Sequence, residues 1–276
     1  MDKKIPFSVL TAVYKNDDKQ NFASAMDSII QQTVLPEEIV VMQDGPVGVE
    51  LSAVIGEYKQ KYPQIITHVV NPQNVGLGLT LARGVEVCRN ELIARMDADD
   101  IACRNRFELQ IKEFQHDTEL ALLGGYIREF DTDPKQPQAT RTVPISQNEI
   151  YKRVKVRSPF NHMTVMFRKS MVLECGNYAD LRNMQDYHLW IRMIHAGYRM
   201  KNIPVVLALA RTGNGMYKRR GGKNYIKLER EIQQLMLNYK MINRLEYIRN
   251  LVIRVTVRKL GNRARKFIYM NFLRKG

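Results

Sequence analysis

From residue 7 to residue 123 the chain alternates short runs of apolar and β-branched residues with stretches whose apolar residues recur at helical spacing, an order that few folds accept. Residues 7–14, 38–42, 65–70, 93–97 and 120–123 read as strands. Between them, Phe22, Ala25, Met26, Ile29 and Ile30 form one helical stripe, and Leu51, Val54, Ile55 and Tyr58 a second. Residues 77–87 form a third, and Phe107, Ile111 and Phe114 lie on a fourth. The pattern predicts an α/β fold with a mostly parallel sheet flanked by helices on both faces. In such sheets ligands bind beyond the carboxyl ends of the strands. Tyr14, Asp44, Asn71 or Asn74, and Asp97 with Asp99 are therefore expected along one edge.

The densest chemistry on that edge is Ile93 to Asp100, IARMDADD. Three carboxylates within four positions repel one another, so a cation is expected among them. Continued as a strand, this segment puts Arg95, Asp97 and Asp99 on one face. Asp97 and Asp99 then suit one Mg²⁺ or Mn²⁺, which takes one or two carboxylates and completes its shell with water and substrate phosphate. Arg95 suits a phosphate. Helix capping by Asp99 or Asp100, ahead of Phe107, is the competing structural reading. An EF-hand loop beginning at Asp97 is disfavoured, because Ile101 and Ala102 occupy its ligand and glycine positions. A phosphatase-type aspartate nucleophile belongs on the first strand of its domain, whereas about three strands precede this one.

Tyr14 and Asp44 close the first two strands, where a Tyr can stack on a base and an Asp can accept from its imide or from a ribose. Both residues are also common in turns. Asn74-Val-Gly-Leu-Gly78 superficially resembles a dinucleotide fingerprint, but Leu81 stands where the third glycine belongs. It reads as a close-packed helix start.

Charge divides the chain. From Met216 onward, 17 Lys and Arg face three Glu, a net of +14, which leaves +1 of the total +15 for residues 1–215. In the basic part, Ile248, Leu251, Val252 and Val255 form a stripe with Arg254 and Arg258 away from it, the pattern of an interfacial amphipathic helix. Such a helix attracts an anionic membrane surface. Docking onto the chain's own body or a partner is the alternative. Few aromatics interleave the basic residues and no nucleic-acid module is recognisable, which argues against nucleic acid as a partner. Arg219 and Arg220, flanked by glycines, read either as a loop closing over a diphosphate or as a solvated charge run. Cys88, Cys103 and Cys175 lack zinc-like or redox spacing, which points to a reducing compartment. With no signal-peptide pattern and no run near the roughly 20 apolar residues of a membrane span, a cytoplasmic protein peripheral to the inner membrane face is expected.

Taken together, SVLTAVYKND, VVMQDGP, NVGLG, IARMDADDI with RNRFELQ, FNHMTVMFRKS at 160–170 and MQDYHLWIRM at 184–193 resemble family 2 glycosyltransferases of the GT-A fold. The likeness spans about residues 5–222, and is close to bacterial capsule, O-antigen and exopolysaccharide enzymes of the amylovoran type. It implies a GT-A domain over 1–222 with a basic helical extension over 223–276. The donor would be a nucleotide sugar, expected as a UDP-sugar, and the acceptor a lipid-linked or growing glycan. The reaction would be an inverting displacement, with a metal on Asp99 together with Asp97 or Asp100. Asp186 matches the family's catalytic carboxylate, with helix capping ahead of Leu189, Trp190 and Met193 as its structural alternative. Asn161 and His162 match a family motif, with a structural role for His162 left open, and Trp190 reads as packing. Lys15 and Arg83 depart from the asparagines that relatives often carry. Two other classes share these features: a nucleotidyltransferase or phosphohydrolase at the same acidic edge, and a basic membrane-associated binding protein. A homo-oligomer remains open.

Overall fold

The computed structural model describes residues 5–212 and 223–259. Its first half follows the expected alternation: β1 (Phe7–Val13), α1 (Lys19–Ile30), β2 (Glu38–Asp44), α2 (Val49–Lys61), β3 (Ile66–Asn71), α3 (Leu77–Val87) and β4 (Leu92–Arg95). A two-residue β5 (Ile101–Ala102), α4 (Arg106–His116) and a long β6 (Leu120–Phe130) come next. The second half holds β7 (Ala139–Arg141), α5 (Gln147–Val154), a 3₁₀ turn (His162–Thr164), β8 (Met166–Arg168), α6 (Lys169–Glu174), α7 (Gln185–His195) and β9 (Arg199–Arg211). Two helices close the described chain, α8 (Lys223–Asn238) and α9 (Arg244–Lys259).

These strands form one sheet in the order β3-β2-β1-β4-β8-β6-β9-β5, with β7 beside β6. β1 to β4 pair in parallel, while β8 runs against both β4 and β6, so β6 and β9 point the same way as β1. The chain enters β1 and then winds outward to β2 and β3 before crossing to β4 on the other side. In open α/β sheets such a reversal is where ligands bind, here at the carboxyl ends of β1 and β4.

Strand periodicity sorts the core into two layers. Phe7, Val9, Val13, Ile39, Val41, Leu92 and Ala94 pack with Phe22 and Met26 of α1 and Phe107 and Phe114 of α4. The alternate residues Leu10, Val40, Met42 and Ile93 pack with Leu81 and Val85 of α3 and Leu189 and Trp190 of α7. Helix α8 joins this second layer through Ile232 and Met236, and the turn after it through Met241 and Ile242.

Two local expectations change. β4 stops at Arg95, so the three carboxylates lie in the turn between β4 and β5 rather than along a strand face. In α9, Arg254 faces inward: its guanidinium bonds to the buried Glu229 and to the Val156 carbonyl. Leu251 and Val255 are half-buried, whereas Ile248 and Val252 are exposed. The exposed stripe therefore runs differently from the one expected, and the Arg258 side chain lies outside the described residues.

Candidate active site

The acidic turn is held from two sides. On the sheet side, Arg95 is only 1% exposed and pairs with the half-buried Asp97, which fixes that carboxylate at the strand end. Arg106 of α4, fully buried, donates to the Arg95 carbonyl at 2.7 Å. On the far side, β9 ends on the turn: the Arg211 N–H donates to Asp100 Oδ1 at 2.8 Å, and Arg211 Nε to the Asp99 carbonyl at 3.2 Å. Neither Asp99 nor Asp100 caps α4, whose N-cap is Asn105. Helix capping therefore does not account for the cluster. Arg211 escaped the sequence reading because nothing local marks a residue 111 positions away as a partner of Asp100.

Crowding shows in the acidities. Burial and then the neighbouring Asp97 charge push the exposed Asp99 carboxyl up to about 6. The like charge raises it even where solvent weakens the burial contribution. Asp100, buried, is raised well above the carboxylate range by burial and by both neighbours, and its Oδ2 has no hydrogen-bond partner. A cation would relieve both. Among the described residues no three His, Cys, Asp or Glu side chains form a ready-made metal cage. A Mg²⁺-type ion takes only one or two carboxylates and completes its shell with water and phosphate, so Asp97 and Asp99 would be enough to hold one.

Asp44 closes β2 and faces its own chain. Its Oδ1 accepts from Val75 N–H at 2.8 Å, and its Oδ2 from Gly76 N–H at 3.0 Å and Asn74 Nδ2 at 2.8 Å. The carboxylate thereby shapes the 74–76 loop that starts α3. Gly76 adopts φ +92°, which favours glycine, and Gly78 lies against the 179–181 segment so closely that a Cβ would sit 2.3 Å from the Ala179 carbonyl oxygen. This is the close-packed helix start expected of NVGLG. Gly78→Ala is expected to destabilise the fold by about 1–3 kcal/mol, read by urea unfolding, because backbone rather than a flexible side chain must move. Tyr14 follows β1, half-buried, with its N–H on Asp17 Oδ2 at 2.9 Å. Arg83 donates to Asn71 Oδ1 at 2.7 Å, so this departure from the family pattern sits at the carboxyl end of β3.

The 179–181 segment leads into α7. The N-cap there is Met184, in left-handed backbone at φ 62° and with no side-chain cap bond, and Asp186 lies in the first turn beyond it. Capping therefore does not explain Asp186. A non-glycine residue in this conformation is costly enough, about 1–3 kcal/mol, to mark a turn set by its surroundings.

An aromatic cluster joins α7 to the 3₁₀ turn. His162 Nε2 meets the Tyr178 hydroxyl at 2.9 Å, and both rings, with Phe160, pack edge-on or tilted around Trp190. Trp190 is fully buried, a packing residue. Burial, then the Arg95 cation, holds His162 well below the usual histidine range, so it is neutral at pH 7. Tyr178 is raised chiefly by burial, with Asp186 and Asp97 adding to the rise and Arg95 opposing it. The 162–165 turn ties α7 to the end of β4, since the Arg95 N–H donates to the Val165 carbonyl at 2.8 Å while His162 packs on Trp190. Tyr178 carried no signal in the sequence, since its meaning comes from neighbours on three other elements. Arg219 and Arg220 lie outside the described residues.

The Glycosyl transferase family 2 model matches residues 8–176. Over 263 residues the chain is 36% identical to the amylovoran biosynthesis glycosyltransferase AmsE of Erwinia amylovora, covering 95% of this chain and 97% of that protein. It is 34% identical over 269 residues to a UDP-Gal:alpha-D-GlcNAc-diphosphoundecaprenol beta-1,3-galactosyltransferase of Escherichia coli, covering 98% and 97%. The crystal structure of S. aureus TarS 1-349 in complex with UDP-GlcNAc superposes with a TM-score of 0.69 at 15% identity, covering 97% of this chain and 74% of that one. At that identity the likeness concerns the fold.

Proposed function

The chain belongs to glycosyl transferase family 2, and from that premise we propose that it moves a sugar from a UDP-sugar, with inversion, onto a lipid-linked or growing glycan in bacterial surface polysaccharide synthesis. The observation that carries the site assignment is the 162–165 turn, which holds the end of β4 through the Arg95 N–H on the Val165 carbonyl at 2.8 Å and holds α7 through His162 packed on Trp190. It supports a donor diphosphate at the β4 end with the acceptor approaching from α7.

In this reading the acceptor hydroxyl oxygen attacks the anomeric carbon, the bond to the diphosphate breaks, and the nucleoside diphosphate departs with the electron pair. Asp186 takes the hydroxyl proton as the new bond forms. Tyr14 lies against the base, and the Asp44-braced loop with Asn74 shapes the donor cleft. Arg95 acts through Asp97, because its guanidinium is buried and already paired. Asp97 and Asp99 would hold Mg²⁺ or Mn²⁺, which supplies Lewis-acid stabilisation of the leaving diphosphate. Arg219 and Arg220 add cationic charge at the diphosphate. Residues 1–222 carry the chemistry in this scheme, and 223–276 place it at the inner face of the cell membrane.

Incubation with a panel of sugar nucleotides and Mn²⁺, read by released nucleoside diphosphate, tests the reaction class. Pyrophosphate from a nucleoside triphosphate and a sugar phosphate would instead mark a nucleotidyltransferase. The acidity of Asp99 adds a second test. Metal binding needs the deprotonated carboxylate, and a pKa of about 6 means a proton competes below that pH. Mn²⁺ affinity in the presence of UDP, measured calorimetrically, is expected to fall about tenfold between pH 7 and pH 5.

A further inference from the structure

Helix α9 is packed the wrong way round for a helix in water. Leu245, Ile248, Val252 and Ile253 are 79%, 57%, 60% and 56% exposed, while Asn250 is 4% exposed. Asn250 donates to the Lys155 carbonyl at 3.0 Å and to Gln233 Oε1 at 2.9 Å, and Arg254 bonds to Glu229. At about 100° per residue, Leu245, Ile248 and Val252 fall within about 60° of one another, on the side opposite Asn250 and Arg254. A surface helix normally buries its apolar stripe and leaves its polar side outside. Here the polar side makes the bonds to the body, so the helix keeps a fixed orientation without using its apolar face.

We propose that this face, Leu245, Ile248 and Val252, is a membrane-contacting surface that inserts among the headgroups of an anionic bilayer. Charge selects the occupant. Arg244 and Arg249 are exposed on the same helix, and the sequence from Met216 onward carries a net +14. An anionic lipid surface complements both the charge and the apolar stripe. A second copy would bring the same positive charge against this one, which disfavours self-pairing. The proposal rests on the reading of a lipid-linked acceptor for its purpose, but its test needs neither donor nor acceptor. Failure of vesicle binding would leave glycosyl transfer standing.

The test is flotation of the full-length protein with phosphatidylcholine vesicles, with and without phosphatidylglycerol. Wild type is expected to bind the anionic vesicles preferentially, less at raised salt. The combined variant Leu245→Ser, Ile248→Ser, Val252→Ser is expected to lose at least about tenfold in partitioning, since the inserted apolar area is gone. Its thermal unfolding and acceptor-independent donor hydrolysis should match wild type, because all three side chains are largely exposed and none belongs to the candidate site. Unchanged partitioning by a folded triple variant would overturn the proposal. So would wild-type protein that ignores both vesicle types but self-associates through a contact abolished by the same substitutions.

Discussion

Asp186→Asn is expected to lower the rate of glycosyl transfer by about 10²–10⁴-fold, the range lost when a positioned general base is removed. Asparagine keeps the size and shape of the side chain but cannot take the acceptor proton. The fold should hardly notice. Asp186 sits in the first turn of α7, where a negative charge gains only about 0.3–1 kcal/mol from the helix dipole. Met184, Gln185 and the buried Trp190 remain to set the helix in place. The measurement is turnover against donor affinity: kcat should collapse while UDP binding and the unfolding midpoint stay near wild type. A variant with full turnover would remove Asp186 from the mechanism. One whose turnover and stability fell together would make it a structural residue instead.

Asp44→Ala is expected to have the largest effect on stability, about 3–5 kcal/mol, because it removes a buried charge and strands its hydrogen-bond donors. The Val75 and Gly76 amides and the Asn74 side chain all converge on this carboxylate within 3.0 Å. A loss of that size is a large share of a typical domain's 5–15 kcal/mol, so urea unfolding should shift plainly. The variant also separates two roles. If Asp44 mainly braces the 74–76 loop, stability and donor affinity fall together. If it mainly accepts from the donor's base, affinity falls in a protein of near-normal stability. The three short contacts favour the brace, with any contact to the donor built on top of it.

The first half of the fold was legible because its strands and helices each carry a local signature. The residues 77–87 stripe matches α3 residue for residue, and β1, β2 and β3 end within two residues of their expected ends. The second half was not, for topological reasons. β8 is a three-residue strand inserted antiparallel between β4 and β6, and β9 forms its partnerships with β6 and β5 across the sheet. Such short or long-range pairings leave little periodicity to read. Similarly, the strand-face argument for Arg95, Asp97 and Asp99 needed β4 to continue, and it ends at Arg95.

What the sequence determined by itself was the family, the parallel half of the sheet, the acidic cluster and the concentration of positive charge after Met216, because composition, spacing and motif order are local properties. Tertiary structure alone decided how these parts face one another. It buried Arg95 behind Asp97, tied Arg211 to the acidic turn, set Tyr178 against His162 and Trp190 and turned Asn250 and Arg254 inward. Each of these depends on which distant residues pack side by side, and a buried polar group settles where its hydrogen-bond partners are, whatever its neighbours in sequence.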